Sequence, residues 1–173
     1  MEKAAVPWSA PVAVEEIPDT GLHVAIEAPV EARGAIARIA GLRDLPAVTA
    51  EFDLERRGSD VAVSGRVRAC VGQTCVVTLD PIENEIDEPI SLIFSPATAG
   101  DASASAPGAS EPPEALVDGR IDLGALTTEF LLLAIDPYPR KPGAAFATPK
   151  TRDEGEKPFA ALEVLKKRLG GGD

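Results

Sequence analysis

Apolar and polar residues alternate most strictly in the middle of the chain. Val48, Ala50, Phe52 and Leu54 hold one face against polar neighbours until Arg57-Gly58-Ser59-Asp60, a turn signal that predicts a hairpin. Val61, Val63, Gly65, Val67, Ala69 and Val71 continue the apolar face on the return strand, with Ser64, Arg66 and Arg68 on the other. Gly72 interrupts the alternation and predicts a bulge or bend. Gln73, Cys75, Val77 and Leu79 then resume a period of two up to Asp80-Pro81. A last strand is expected through Ile86, Glu88, Ile90, Leu92 and Phe94, with Pro89 marking an edge or a bulge.

Upstream, Val12 and Val14, then Leu22, Val24 and Ile26 beyond the Pro18-Asp19-Thr20-Gly21 turn, read as two short strands. Ala32, Ile36 and Ile39 fall at helical spacing between Pro29 and Gly41, which predicts a helix over 30–40. Leu123, Leu126, Phe130 and Leu133 predict a second helix, capped by Asp122 and stopped before Asp136-Pro137-Tyr138-Pro139. Phe159, Leu162, Leu165 and Leu169 predict a short terminal helix over 158–169 that must dock to be stable.

These elements imply an α+β fold: an antiparallel sheet, strongly bent or barrel-like, with two or three short helices packed on it. We expect a flexible N-terminus over 1–10 and a domain over 11–138 interrupted by an Ala/Ser/Gly/Pro linker at 96–113. A proline- and charge-rich tail over 139–173 is expected to follow.

Composition narrows the function classes. The 173 residues carry a net charge of −11 and only 4% aromatics, so the core is aliphatic. Acid is concentrated between Glu83 and Asp122, where Arg120 is the sole cation; such a field repels phosphate backbones and attracts basic partners. The longest apolar run, from Phe130 to Ile135, is too short to span a bilayer, and no apolar leader follows Met1-Glu2-Lys3. We therefore expect no membrane association and a cytoplasmic protein.

Candidate chemistry is sparse. Cys70 and Cys75 are separated by four intervening residues with His23 remote, which supplies neither four zinc ligands nor a redox pair; both cysteines read as sheet packing. One histidine is a poor start for nucleophilic catalysis, and no phosphate-binding glycine motif occurs. No catalytic residue, cofactor or metal site is expected. Arg56, Arg57, Arg66, Arg68 and the Lys166-Lys167-Arg168 cluster are the possible RNA contacts, but aromatic stacking residues are nearly missing. Trp8 and Tyr138 are isolated aromatics suited to packing or to a partner.

Three segments in order resemble the YceD family, bacterial and plastid proteins linked to accumulation of large-subunit ribosomal RNA. They are Gly65-Arg66-Val67-Arg68-Ala69 leading through Cys75 to Asp80-Pro81 and Phe94; Val117-Asp118-Gly119-Arg120-Ile121-Asp122-Leu123-Gly124 with Glu129 and Pro137-Tyr138-Pro139; and Pro158-Phe159-Ala160-Ala161-Leu162 with Leu165-Lys166. Cys75, Asp118, Gly119, Asp122, Leu123, Glu129, Pro137 and Pro139 are the motif positions. Many relatives carry further cysteines near Cys75 and after the tyrosine-proline segment, where this chain has Arg140-Lys141-Pro142-Gly143, so a zinc site suggested for them does not carry over.

The resemblance implies a non-enzymatic role in synthesis, processing or stability of 23S ribosomal RNA. The expected partner is a basic ribosomal protein or assembly factor, held by Glu83, Glu85, Asp87 and Glu88 with Arg66 and Arg68 tuning orientation. The rival expectation is direct, weak RNA binding through the arginines and the terminal basic cluster.

Overall fold

A computed structural model describes residues 7–96 and 113–146. Period-two alternation gives three long strands. These are β3 (Asp44–Arg57), β4 (Asp60–Thr74) and β5 (Pro81–Pro96), joined antiparallel in register Val48↔Ala69 and Val67↔Glu88. The β3–β4 turn is the expected one, with Arg57 opposite Asp60. β2 (Leu22–Glu27) adds to β3, and β6 (Glu114–Leu116) runs parallel to the end of β5, giving the order β2-β3-β4-β5-β6. This sheet stays open. β1 (Pro11–Ala13) pairs separately with β7 (Arg120–Asp122).

The alternating apolar positions of β3 and β4 point to one face, where Phe52, Leu54, Val48, Val63 and Val67 are fully buried. Helix α1 (Val30–Ala40) covers β3 through Ala32, Ile36 and Ala37 and ends at Gly41 in the left-handed region. Helix α2 (Leu123–Ala134) joins the same core through Leu123 and Leu131. The expected α+β class, with helices on one side of an antiparallel sheet, is what the chain adopts; closure into a barrel is not. No helix among the described residues is long and apolar enough to cross a membrane.

Several local expectations are corrected. Val14 leaves the strand after Ala13 and starts a short 3₁₀ turn over Val14–Glu16. Ile39 is 61% exposed, because the sheet meets only the Ala32/Ile36 side of α1. The irregularity expected at Gly72 resides in its neighbour: Asp44 pairs with Gly72 and Ala47 with Cys70, so Leu45 and Pro46 face one residue of β4. A bulge of this kind accommodates a proline, which has no N–H for the ladder.

The strand also ends at Thr74, and Val77 and Leu79 do not continue it. Residues 75–80 form a tight turn closed by Leu79 N–H to Cys75 O at 2.9 Å and Cys75 N–H to Asp80 O at 2.8 Å. Leu79 takes φ 61 and is 76% exposed. Pro89 does mark an edge: among the described residues β5 is paired beyond β4 only at Phe94–Pro96.

The N-terminal segment is tied down from Pro7 onward. Trp8 is 8% exposed and belongs to the core, and the N–H of Leu123 donates to Ala10 O at 3.0 Å. The expected linker at 96–113 lies almost wholly outside the described residues, as does the terminal helix over 158–169.

Candidate functional site

The exposed face of the sheet collects the charged positions of β3, β4 and β5. Antiparallel register sets Glu51, Arg66 and Pro89 in one row, Thr49, Arg68 and Asp87 in the next, and Cys70 beside Glu85 in a third. Arg66 Nη1 lies 2.8 Å from Asp87 Oδ1, and Arg68 reaches Glu51 at 3.6 Å and Asp87 at 3.9 Å. These pairs are solvated, so each stabilises by about 1 kcal/mol at most. Their effect is on availability: Arg66 and Arg68 are engaged by Asp87 and Glu51, and Arg57 by Glu55 at 3.1 Å.

Glu83 and Glu85 have no cation within ion-pair distance among the described residues. Their field is felt at Cys70: burial pushes its thiol up, and Glu83, Glu85 and Asp44 push it further. Glu88 points to the other face, opposite Val67, because a strand alternates sides at every residue. The structure thus brings Glu83, Glu85, Asp87, Arg66 and Arg68 together and sets Glu88 apart. Arg56 forms no ion pair among the described residues, and Lys166, Lys167 and Arg168 lie outside them.

The motif positions form two other groups. In the first, Asp118 (φ 53) and Gly119 (φ 66) are consecutive left-handed residues between the bridged Val117 and Arg120. A turn with both central residues at positive φ favours Asp-Gly. The turn leads into Asp122, whose Oδ1 accepts from Gly124 N at 3.1 Å and Ala125 N at 3.0 Å, capping α2, and from Ala10 N at 2.8 Å. Its Oδ2 accepts from Ser9 Oγ at 2.6 Å. Burial raises the Asp122 pKa, but the Ser9 hydroxyl and the three amides outweigh it and hold the carboxyl below its usual range.

α2 is apolar on two sides. Leu123, Gly124, Thr127, Thr128 and Leu131 are buried, Gly124 against Ser9 and Ala10, with both threonine hydroxyls bonded to carbonyls one turn back. The expected stripe is therefore rotated, since Phe130 is only partly buried and Leu133 is 77% exposed. Leu126, Phe130 and Leu133 instead line a groove of about 930 Å³ between α2 and β5, whose far wall includes Leu92 and Phe94. Glu129 sits on this groove and is exposed, and among the described residues its carboxylate has no hydrogen-bond or ion partner.

The second group surrounds Cys75. Gln73 Nε2 donates to Asp136 O at 2.8 Å and Val76 N to Pro139 O at 2.9 Å, so the segment 136–141 lies across the 75–80 turn. Cys75 Sγ accepts from Thr78 N at 3.4 Å and from Lys141 N at 3.3 Å. The Lys141 amide, then Thr78, favour the thiolate and against burial push the Cys75 pKa down to about 6. Lys141 Nζ also pairs with Asp80 at 3.2 Å. One buried sulfur already occupied by two amides does not fit zinc, which takes four ligands. Among the described residues no cluster of three or more His, Cys, Asp or Glu is placed to hold a metal ion.

Because the folded thiol ionises more readily than the unfolded one, near 8.5, its contribution to stability is full above that value and is lost as pH falls through about 6. Wild type should therefore lose melting temperature between pH 9 and 5.5 in a way that Cys75→Ser does not. Parallel melting curves against pH for the two proteins would refute the thiolate.

Sequence reasoning put Leu133 on the same stripe as Leu123 and did not single out Thr127, the Lys141 amide or the groove. A signal for the groove was present in the α2 residues Leu123–Ala134, which are too apolar for one buried face; none was present for Lys141. Neither a search of curated proteins nor one of solved structures returned a match. The model of the family described as large ribosomal RNA subunit accumulation protein YceD matches residues 63–166, well over half of the chain and inclusive of both motif groups. The chain belongs to the YceD family.

Proposed function

We propose that this protein supports accumulation of large-subunit ribosomal RNA as a non-enzymatic factor, by docking a basic ribosomal protein or assembly factor on the exposed face of β4 and β5. The family places it in ribosomal RNA accumulation. One observation carries the finer reading: the arginines of that face are neutralised by Asp87 and Glu51, while Glu83 and Glu85 stand without a cation among the described residues. The face therefore offers uncompensated negative charge to a cationic surface and little free positive charge to a phosphate backbone.

The test is recovery of large-subunit proteins on the tagged chain from its own cytosol, at low and high salt, with and without ribonuclease. We expect recovery that survives ribonuclease and fades with salt. Glu83→Lys with Glu85→Lys should weaken the complex by about 1.5–3 kcal/mol, on the order of tenfold to a hundredfold in affinity. Unchanged affinity would remove the acidic-face reading, and recovery abolished by ribonuclease would replace it with RNA contact.

A further inference from the structure

We propose that the groove between α2 and β5 is the docking site of the chain's own segment 158–169, which lays its apolar stripe against Phe130 and Leu133 and its basic end against the acidic rim. The inference is independent of the partner assigned to the opposite face of the sheet.

Four observations carry it. First, the described residues leave the outer side of α2 at the groove incompletely covered: Leu126 is buried at its floor, Phe130, Leu92 and Phe94 are only partly buried along its walls, and Leu133 is 77% exposed at its rim. A soluble chain that leaves such a strip uncovered normally has something to place on it. Second, Phe159, Leu162, Leu165 and Leu169 make one apolar stripe in a segment too short to be stably helical by itself. The two incomplete elements are complementary in kind.

Third, the charges match. Glu114, Asp118, Asp122 and Glu129 surround the groove with Arg120 as the only cation lining it among the described residues, whereas residues 157–169 carry Lys157, Lys166, Lys167 and Arg168 against Glu163 alone. Glu129, unpartnered among the described residues, is the natural counterion. Fourth, the connection is long compared with the groove's helix. From Phe146 to Pro158 an extended chain covers up to about 40 Å, and the whole of α2 is about 18 Å long. The family match also runs on to residue 166, so the same unit contains groove and segment.

The experiment uses the full chain. In an isotope-edited nuclear Overhauser spectrum, ring protons of Phe159 should show contacts with the Leu133 methyls. A second sample mixing labelled and unlabelled copies should not show those contacts between molecules. Leu162→Asp with Leu165→Asp should abolish them and raise the fluorescence of a hydrophobic dye severalfold, and Leu133→Asp should do the same from the groove side. Contacts found only between copies would overturn docking within the chain in favour of a second copy as occupant. No contacts, with Phe159 relaxing as random coil, would overturn the proposal altogether.

Discussion

Replacing Asp122 by alanine is expected to destabilise the protein by about 3 kcal/mol and to release its N-terminal segment. The carboxylate closes four hydrogen bonds at once: it caps α2 at Gly124 and Ala125 and holds Ser9 and Ala10 over the helix start. Loss of a cap alone costs about 1 kcal/mol. Hydrogen bonds to a charged acceptor add roughly 1.5–3 kcal/mol each, not additively. The released segment contains the only tryptophan, Trp8, so undocking should shift its fluorescence to the red. The Asp122 pKa is depressed in the fold, so its stabilisation is full above the unfolded carboxylate value near 4 and is lost at lower pH. Asp122→Ala should thus flatten the acid limb of stability against pH, while Ser9→Ala should cost about 1 kcal/mol. Unshifted tryptophan emission in Asp122→Ala would show that the segment is held by other contacts.

Gly65→Ala is expected to cost about 2–3 kcal/mol and to lower the melting temperature by roughly 10 °C. Gly65 sits in the centre of β4 on the core side, opposite Phe52 and Ile90. A methyl group there would strike the Glu51 carbonyl and lie 2.9 Å from Phe52 Cδ1. Phe52 is fully buried, so the ring has no free volume to move into. Gly34→Ala is the control: a side chain at that exposed helix position meets nothing within 4 Å and should stabilise α1 by up to about 1 kcal/mol. Melting curves of the two variants therefore move in opposite directions. A Gly65→Ala protein melting within a degree or two of wild type would contradict this account of the core.

Both variants touch residues in or beside the family motifs, and they divide those motifs by what each position does. Asp118 and Gly119 shape a turn, Asp122 caps a helix, Leu123 is core, and Cys75 and Pro139 tie the 136–141 segment to the 75–80 turn. These positions maintain the scaffold. Glu129 and Pro137 are the exposed motif residues left without a structural partner among the described residues, and Glu129 lies on the groove.

Local patterns alone were enough for the elements whose limits depend on adjacent residues. Helix α1 runs over Val30–Ala40, between Pro29 and Gly41, because proline presets its start and glycine accepts its left-handed end. The β3–β4 hairpin follows from alternation on both sides of Gly58-Ser59, and the α2 cap from Asp122 one residue ahead of an apolar helix. Such signals are local, and nothing distant overrides them here.

Tertiary structure decided what a period cannot encode. Period two continued through Val77 and Leu79, yet the bonds that the Asp136–Lys141 region makes to Val76 and Cys75 favour a tight turn. α2 is apolar nearly all round, so its composition left open which side faces the sheet; the contact with Ser9 and Ala10 at Gly124 selected it and turned Leu133 outward. Antiparallel register likewise set Arg66 and Arg68 against Asp87 and Glu51, whereas the face of Glu88 follows from alternation along β5 alone. Reading residue by residue is enough to say where charge and apolar surface occur along the chain. Which charges cancel and which remain free for a partner depended on strand register, a relation between residues 15 to 21 positions apart that no local pattern contains.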